Sequence, residues 1–134
     1  STYDPALFQG MALQPQVFST KWYVEGNKLN LIIHQNCLDV YNDNGLQVNA
    51  YAALLCMFAT VSNCDVGNLI HVIDEAIIHD RNVKTVNDLM SAKEYDAPSV
   101  TYKERICFFD YVAYDFTVTG YHYAYTHSLI PELV

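Results

Sequence analysis

Val17-Phe18-Ser19-Thr20-Lys21-Trp22-Tyr23-Val24, then Glu25-Gly26-Asn27-Lys28, then Leu29-Asn30-Leu31-Ile32-Ile33-His34: this stretch decides the fold class. Both flanking runs are rich in β-branched and aromatic residues, which pack well on a pleated, half-buried surface. The Gly26-Asn27 pair between them supplies the positive φ angles that a tight hairpin turn demands. A third short run, Leu38 to Tyr41, stops at Asn42-Asp43-Asn44-Gly45, a strong turn signal. The expectation is a small antiparallel hairpin or sheet near the N-terminal end.

The chain then turns helical in character. Residues 47–62 are apolar nearly all round and include Ala50, Ala52 and Ala53, as a helix buried in a core would be. A second, amphipathic helix is expected over about residues 68–80, capped by Asp65 or Asn68, because Val66, Leu69, Ile70, Ile73 and Ile77 recur at helical spacing. Thr85-Val86-Asn87-Asp88 has the form of a capping box for a short third helix, which Asp96-Ala97-Pro98 ends. The last third reads both ways. Ile106, Phe109, Ala113 and Phe116 are spaced for a helix, whereas the Phe, Tyr, Val and Thr content favours strands. The reading adopted is helix over about residues 102–115 and strand over 117–126, with Tyr121, Tyr123 and Tyr125 on one face. The class is α+β, a small antiparallel sheet packed on a helical core. Residues 1–16, with Pro5, Gly10 and Pro15, form an irregular arm suited to homo-oligomer contacts, and residues 17–134 form one globular domain.

Charge narrows the function classes. Seven Lys and Arg face fifteen Asp and Glu, for a formal charge of −8, and no cation falls in residues 29–80 or 106–134. A nucleic-acid surface needs clustered cations to displace counterions, so direct DNA or RNA binding is excluded, and anionic membrane surfaces with it. The uncharged run Asn44 to Cys64 carries several amides and hydroxyls, as a core helix would, rather than a bilayer span. Ser1-Thr2-Tyr3-Asp4-Pro5 has no signal-peptide character. Cys37, Cys56, Cys64 and Cys107 follow no metal spacing and read as free thiols in a reducing, cytoplasmic setting.

Four sequence patterns bear on chemistry. His71, Glu75 and His79 would line one helix face, but two helical turns separate the histidines by about 12 Å, too far to share an ion. The simpler reading makes them a solvated helix face, so no metal is assigned. His34 and Cys37 point to opposite faces of a strand and form no dyad, while Cys64 would gain thiolate character at a helix N-terminus. Asp74 with Glu75, Glu94 with Asp96, and Asp110 with Asp115 are carboxylate pairs that fifteen acids produce by chance. The five glycines are isolated, so no phosphate-cradling loop and no cofactor is expected. Partner binding is placed instead on Asp110, Tyr111, Tyr114, Asp115, Tyr121, Tyr123 and Tyr125, since tyrosines supply large contact area and the acids suit a basic partner. The sequence thus points to a non-enzymatic acidic protein–protein interaction module, such as a small phage or mobile-element inhibitor occupying the basic surface of a nucleic-acid-handling protein. A structural subunit of a virion or other assembly is one alternative. The other is a small enzyme using His71, Glu75, His79, His122 or His127.

Overall fold

The hairpin forms where the β-branched runs place it. In the computed structural model, which describes Gly10, residues 15–43 and residues 45–122, β1 (Val17–Glu25) pairs antiparallel with β2 (Lys28–Asp39) across the Gly26-Asn27 turn. β2 runs longer than expected, because the Leu38 run is its continuation and not a separate strand. α1 (Leu46–Val61) follows, entered through Gly45 at φ 77°, a left-handed conformation that costs glycine little. It carries the chain back over the sheet to β3 (Asp65–Ile77), which pairs parallel to β2 on the side away from β1. The mixed β1-β2-β3 sheet and its helices make the class α+β, as the sequence implied.

The expected amphipathic helix over residues 68–80 does not exist: these residues are the body of β3. The Val66, Leu69, Ile70, Ile73 and Ile77 pattern also fits a strand with apolar residues on both faces. Leu69, His71 and Ile73 face α1, while Ile70 and Val72 face away and are exposed. Parallel strands carry apolar residues on both faces, which blurs the alternation that marks a strand.

The core lies between α1 and the sheet. Leu29, Leu31 and Ile33 of β2 meet Leu55 and Ala59 of α1, with Trp22, Tyr51, Phe58, Cys64 and Leu69 packed around them. Trp22 meets Phe58 edge-on at 5.0 Å, and Phe58 stacks on Phe108 at 4.6 Å, tying the C-terminal part to α1. In α1 only Leu55 and Ala59 are fully buried; the rest of Tyr51 to Val61 is half-buried, and Leu46 at its start is 71% exposed, so its all-round apolarity does not mean complete burial.

Near the start of β3 the two parallel strands approach closely. A register shift falls between Leu29 and Leu31, and the buried Asn30 side chain fills it, accepting from the Asn68 N–H at 2.9 Å and donating to the Lys28 carbonyl at 3.1 Å. Gly67 sits against it, and a Cβ there would lie 2.5 Å from Asn30 Oδ1 and 2.6 Å from the Leu29 carbonyl oxygen.

After β3, a 3-10 turn at Asp80–Asn82 leads into α2 (Val83–Met90). Thr85 therefore lies inside that helix and does not cap it, and the helix ends well before Pro98. β4 (Ser99–Tyr102) and β5 (Phe116–Thr119) form a separate antiparallel pair. Between them the expected 102–115 helix is replaced by two 3-10 turns, Phe108–Asp110 and Ala113–Asp115. Its supposed apolar stripe is not buried: Ile106 is 99% exposed and Phe109 89%. The strand expected at 117–126 ends at Thr119, and Gly120, Tyr121 and His122 continue as non-strand; Tyr123, Tyr125 and His127 lie outside the described residues, as does nearly all of the N-terminal arm.

Candidate active site

Two parallel strands present their carboxyl ends on the same edge, and in open α/β sheets ligands bind beyond such ends. At this edge the α1-facing side of the sheet changes from apolar to polar. Below it run Leu29, Leu31 and Ile33; above it come Gln35, Cys37 and Asp39 of β2. Strand register brings β3 residues alongside: Ile33 opposite His71, Gln35 opposite Ile73, Cys37 opposite Glu75 and Asp39 opposite Ile77. His79 follows two residues after β3 ends.

Gln35 is fully buried and satisfied at both ends of its amide. Its Nε2 donates to the Cys37 carbonyl at 2.7 Å, and its Oε1 lies 2.9 Å from His71 Nε2. Asp39 closes the row. Its carboxylate accepts from the Tyr41 and Asn42 backbone N–H groups at 3.0 and 3.1 Å and from the Asn42 amide at 2.6 Å, and it pairs with His79 Nε2 at 3.3 Å. Burial pushes this carboxyl up, but the donors of Asn42 and Tyr41 and the His79 ring outweigh it and hold it below the usual range. The Asp39–His79 contact joins the exit of β2 to the exit of β3, as does the Val40 N–H bonded to the Ile77 carbonyl.

His71, Glu75 and His79 thus belong to this edge, but on a strand and beyond its end. Four residues of strand span about 13 Å, so His71 and Glu75 cannot share one ion. Among the described residues no group of His, Cys, Asp and Glu is placed to hold a metal. His71 is half-buried and bonded, not part of a solvated helix face. Cys64 follows α1 and opens into β3, so it lies at the carbonyl end of a helix, where a thiolate gains nothing. Burial pushes the Cys56 thiol up, which suits an inert core residue. All four cysteines are free.

The described members of the Asp110–Tyr125 group have different surroundings. Asp115 is 7% exposed and takes a two-pronged contact from Arg105, with Nη2 at 2.6 Å and Nε at 3.1 Å, plus the Val112 N–H at 2.9 Å. The Arg105 guanidinium, then the Val112 N–H, hold its carboxyl below the usual range. Tyr111 accepts from the Arg105 backbone N–H, whereas Tyr114 and Tyr121 are exposed. His122 stacks on Tyr95 at 5.5 Å.

Two open hollows of about 390 and 320 Å³ lie at the opposite end of α1, around Thr60, Arg105 and Ile106 and around Asn63, Asp65 and Tyr102. The first carries Arg105, but its guanidinium is taken up by Asp115, and neither hollow lies at the carboxyl ends of the parallel strands, so the carboxyl-end edge is the better site. Sequence reasoning found His71, Glu75 and His79 but missed Gln35 and Asp39. The available signal was a glutamine and an aspartate continuing the alternation of Leu29, Leu31 and Ile33.

A profile of the thymidylate synthase family matches residues 1–130. The chain is 32% identical over 120 residues to a thymidylate synthase of Bacillus licheniformis, covering 89% of this chain and 43% of that protein. It is 28% identical over 120 residues to thymidylate synthase 1 of Bacillus subtilis strain 168, again covering 89% and 43%. The solved structure of the thermostable thymidylate synthase A from Bacillus subtilis superposes with a TM-score of 0.84 at 27% identity, covering 93% of this chain and 45% of that one. The chain spans less than half the length of these two relatives. These matches overturn the expectation of a non-enzymatic acidic interaction module, and with it the inhibitor and phage-accessory readings. The acidic surplus argues against polyanion binding, but a net charge does not distinguish an interaction module from an enzyme. By profile, sequence and superposition, this chain belongs to the thymidylate synthase family.

Proposed function

We propose that this chain supplies the floor of a nucleotide-binding active site in a thymidylate synthase, at the carboxyl ends of β2 and β3. The observation that carries the reading is the convergence of Gln35, Asp39, His71 and His79 on that edge in a chain of this family. Thymidylate presents a pyrimidine with donor and acceptor edges and a dianionic phosphate. Buried, bonded amide and imidazole groups suit the pyrimidine, because their orientation is set before the ligand arrives. The Asp39–His79 pair provides an imidazole anchored by a carboxylate, the arrangement used to hold or pass a proton. No Lys or Arg occurs in residues 29–80; β2 carries only Lys28, at its opposite end, so the cation nearest in sequence to this edge is Arg81. The four free thiols fit a reducing, cytoplasmic location.

Calorimetric titration with thymidylate tests the reading. Saturable binding that weakens tenfold or more in Asp39→Ala and His79→Ala, and is unchanged in Tyr114→Ala, is the expected result. Binding insensitive to both edge substitutions, or no binding, would refute it.

A further inference from the structure

The face of β2 that packs on α1 reads Leu29, Leu31, Ile33 and then Gln35, which is as fully buried as Leu31 and Ile33. A primary amide in that position is costly unless both of its ends are bonded. The bonds it makes dictate its orientation. The Cys37 carbonyl only accepts, so the end of the amide that lies 2.7 Å from it must be the nitrogen. The oxygen then faces His71 Nε2 at 2.9 Å. An amide oxygen only accepts as well, so Nε2 must carry the hydrogen. The opposite tautomer would set a ring lone pair against a carbonyl oxygen at hydrogen-bond distance.

We infer that Gln35 is a positioning residue that holds His71 as the Nε2–H tautomer, leaving Nδ1 as the ring's proton-accepting nitrogen in the candidate active site. The information passes from a backbone carbonyl of β2, through one amide, to an imidazole of β3. A ring fixed in this way accepts a hydrogen bond or a proton at Nδ1 from an N–H or O–H of a bound molecule, and donates from Nδ1 only as a cation. That role at the ligand rests on the proposed function; the tautomer does not.

Nitrogen-15 labelling of the histidines, with long-range proton–nitrogen correlation above the imidazole titration, reads the tautomer directly in the whole chain without any ligand. His71 is expected to show a protonated Nε2 and a bare Nδ1. Gln35→Leu, similar in volume and suited to an apolar face, removes the acceptor and is expected to move the ratio of tautomers about tenfold towards Nδ1–H, the weight of one semi-buried hydrogen bond. Gln35→Glu restores an acceptor and is expected to return His71 to Nε2–H, while the His79 signals stay in place throughout. A wild-type proton on Nδ1, or a ratio indifferent to Gln35→Leu, overturns the inference. The wild-type spectrum alone decides the first of these, whether or not the leucine variant folds. Failure of thymidylate to bind bears on the proposed function and leaves the tautomer measurement intact.

Discussion

Replacing Gly67 with alanine drives a methyl group into the closest approach between β2 and β3. The added Cβ would stand 2.5 Å from Asn30 Oδ1, 2.9 Å from Asn30 Cγ and 2.6 Å from the Leu29 carbonyl oxygen. The last of these is backbone and cannot swing aside. Relief requires the strands to part and Asn30 to leave its place, breaking its bonds to the Asn68 N–H and the Lys28 carbonyl. Overpacking of this kind costs about 2 kcal/mol and the two lost part-buried hydrogen bonds about 0.5 kcal/mol each, for a total of about 3 kcal/mol. In a domain of this size that lowers Tm by about 12 °C. Gly26→Ala is the matched control. Nothing lies within 4 Å of its added Cβ, but its φ is +62°, so it is strained by backbone conformation alone, at about 1 kcal/mol. Thermal unfolding followed by far-ultraviolet circular dichroism compares the two. A Gly67→Ala loss no greater than that of Gly26→Ala would refute the close approach of the strands.

Leu55→Ala empties a site that is 2% exposed between α1 and β2 and is expected to cost roughly 3 kcal/mol in urea unfolding, against less than about 0.5 kcal/mol for the exposed Leu46→Ala. Asp39 and Asp115 both have carboxyls held below the ordinary range in the folded chain. Their stabilisation is therefore fully present above the unfolded carboxylate value of about 4 and is lost as pH falls through the lower folded values. Asp39→Asn should accordingly flatten the dependence of stability on pH between about 5 and 2; an unchanged slope in acid titration of unfolding would count against the Asp39 network. Arg105→Ala strips Asp115 of its charged partner and should speed amide exchange in Ser99–Tyr102 and Phe116–Thr119 while leaving the β1–β2 hairpin protected.

The elements legible in the sequence were those whose partners are near in the chain. The hairpin announces itself through two β-branched runs around Gly26-Asn27, and α1 through its length and alanines. β3 was illegible because its partner β2 lies 37 residues away in the Lys28–Asp65 pairing, and because Leu69 and Ile70 point to opposite faces yet are both apolar. With β3 taken for a helix, His71, Glu75 and His79 fell on an imagined solvated face, and the fully buried Gln35 had no reason to be singled out. The candidate site is a product of parallel register: no local motif contains Gln35 and His71 together. In the C-terminal part, aromatic residues at helical spacing imitated a buried stripe where Ile106 and Phe109 are in fact exposed.

The order in which the three strands can assemble follows from their connections. β1 meets β2 through a two-residue turn, a local event on the microsecond scale, and α1 forms on a similar scale. β3 can join only after the connection that contains α1 has closed, and such non-local parallel pairing is slow. Until then one edge of β2 has its backbone N–H and C=O groups unpaired beside Leu29, Leu31 and Ile33. The segment that becomes the centre of the core is thus, during synthesis and refolding, the one most open to pairing with a wrong strand.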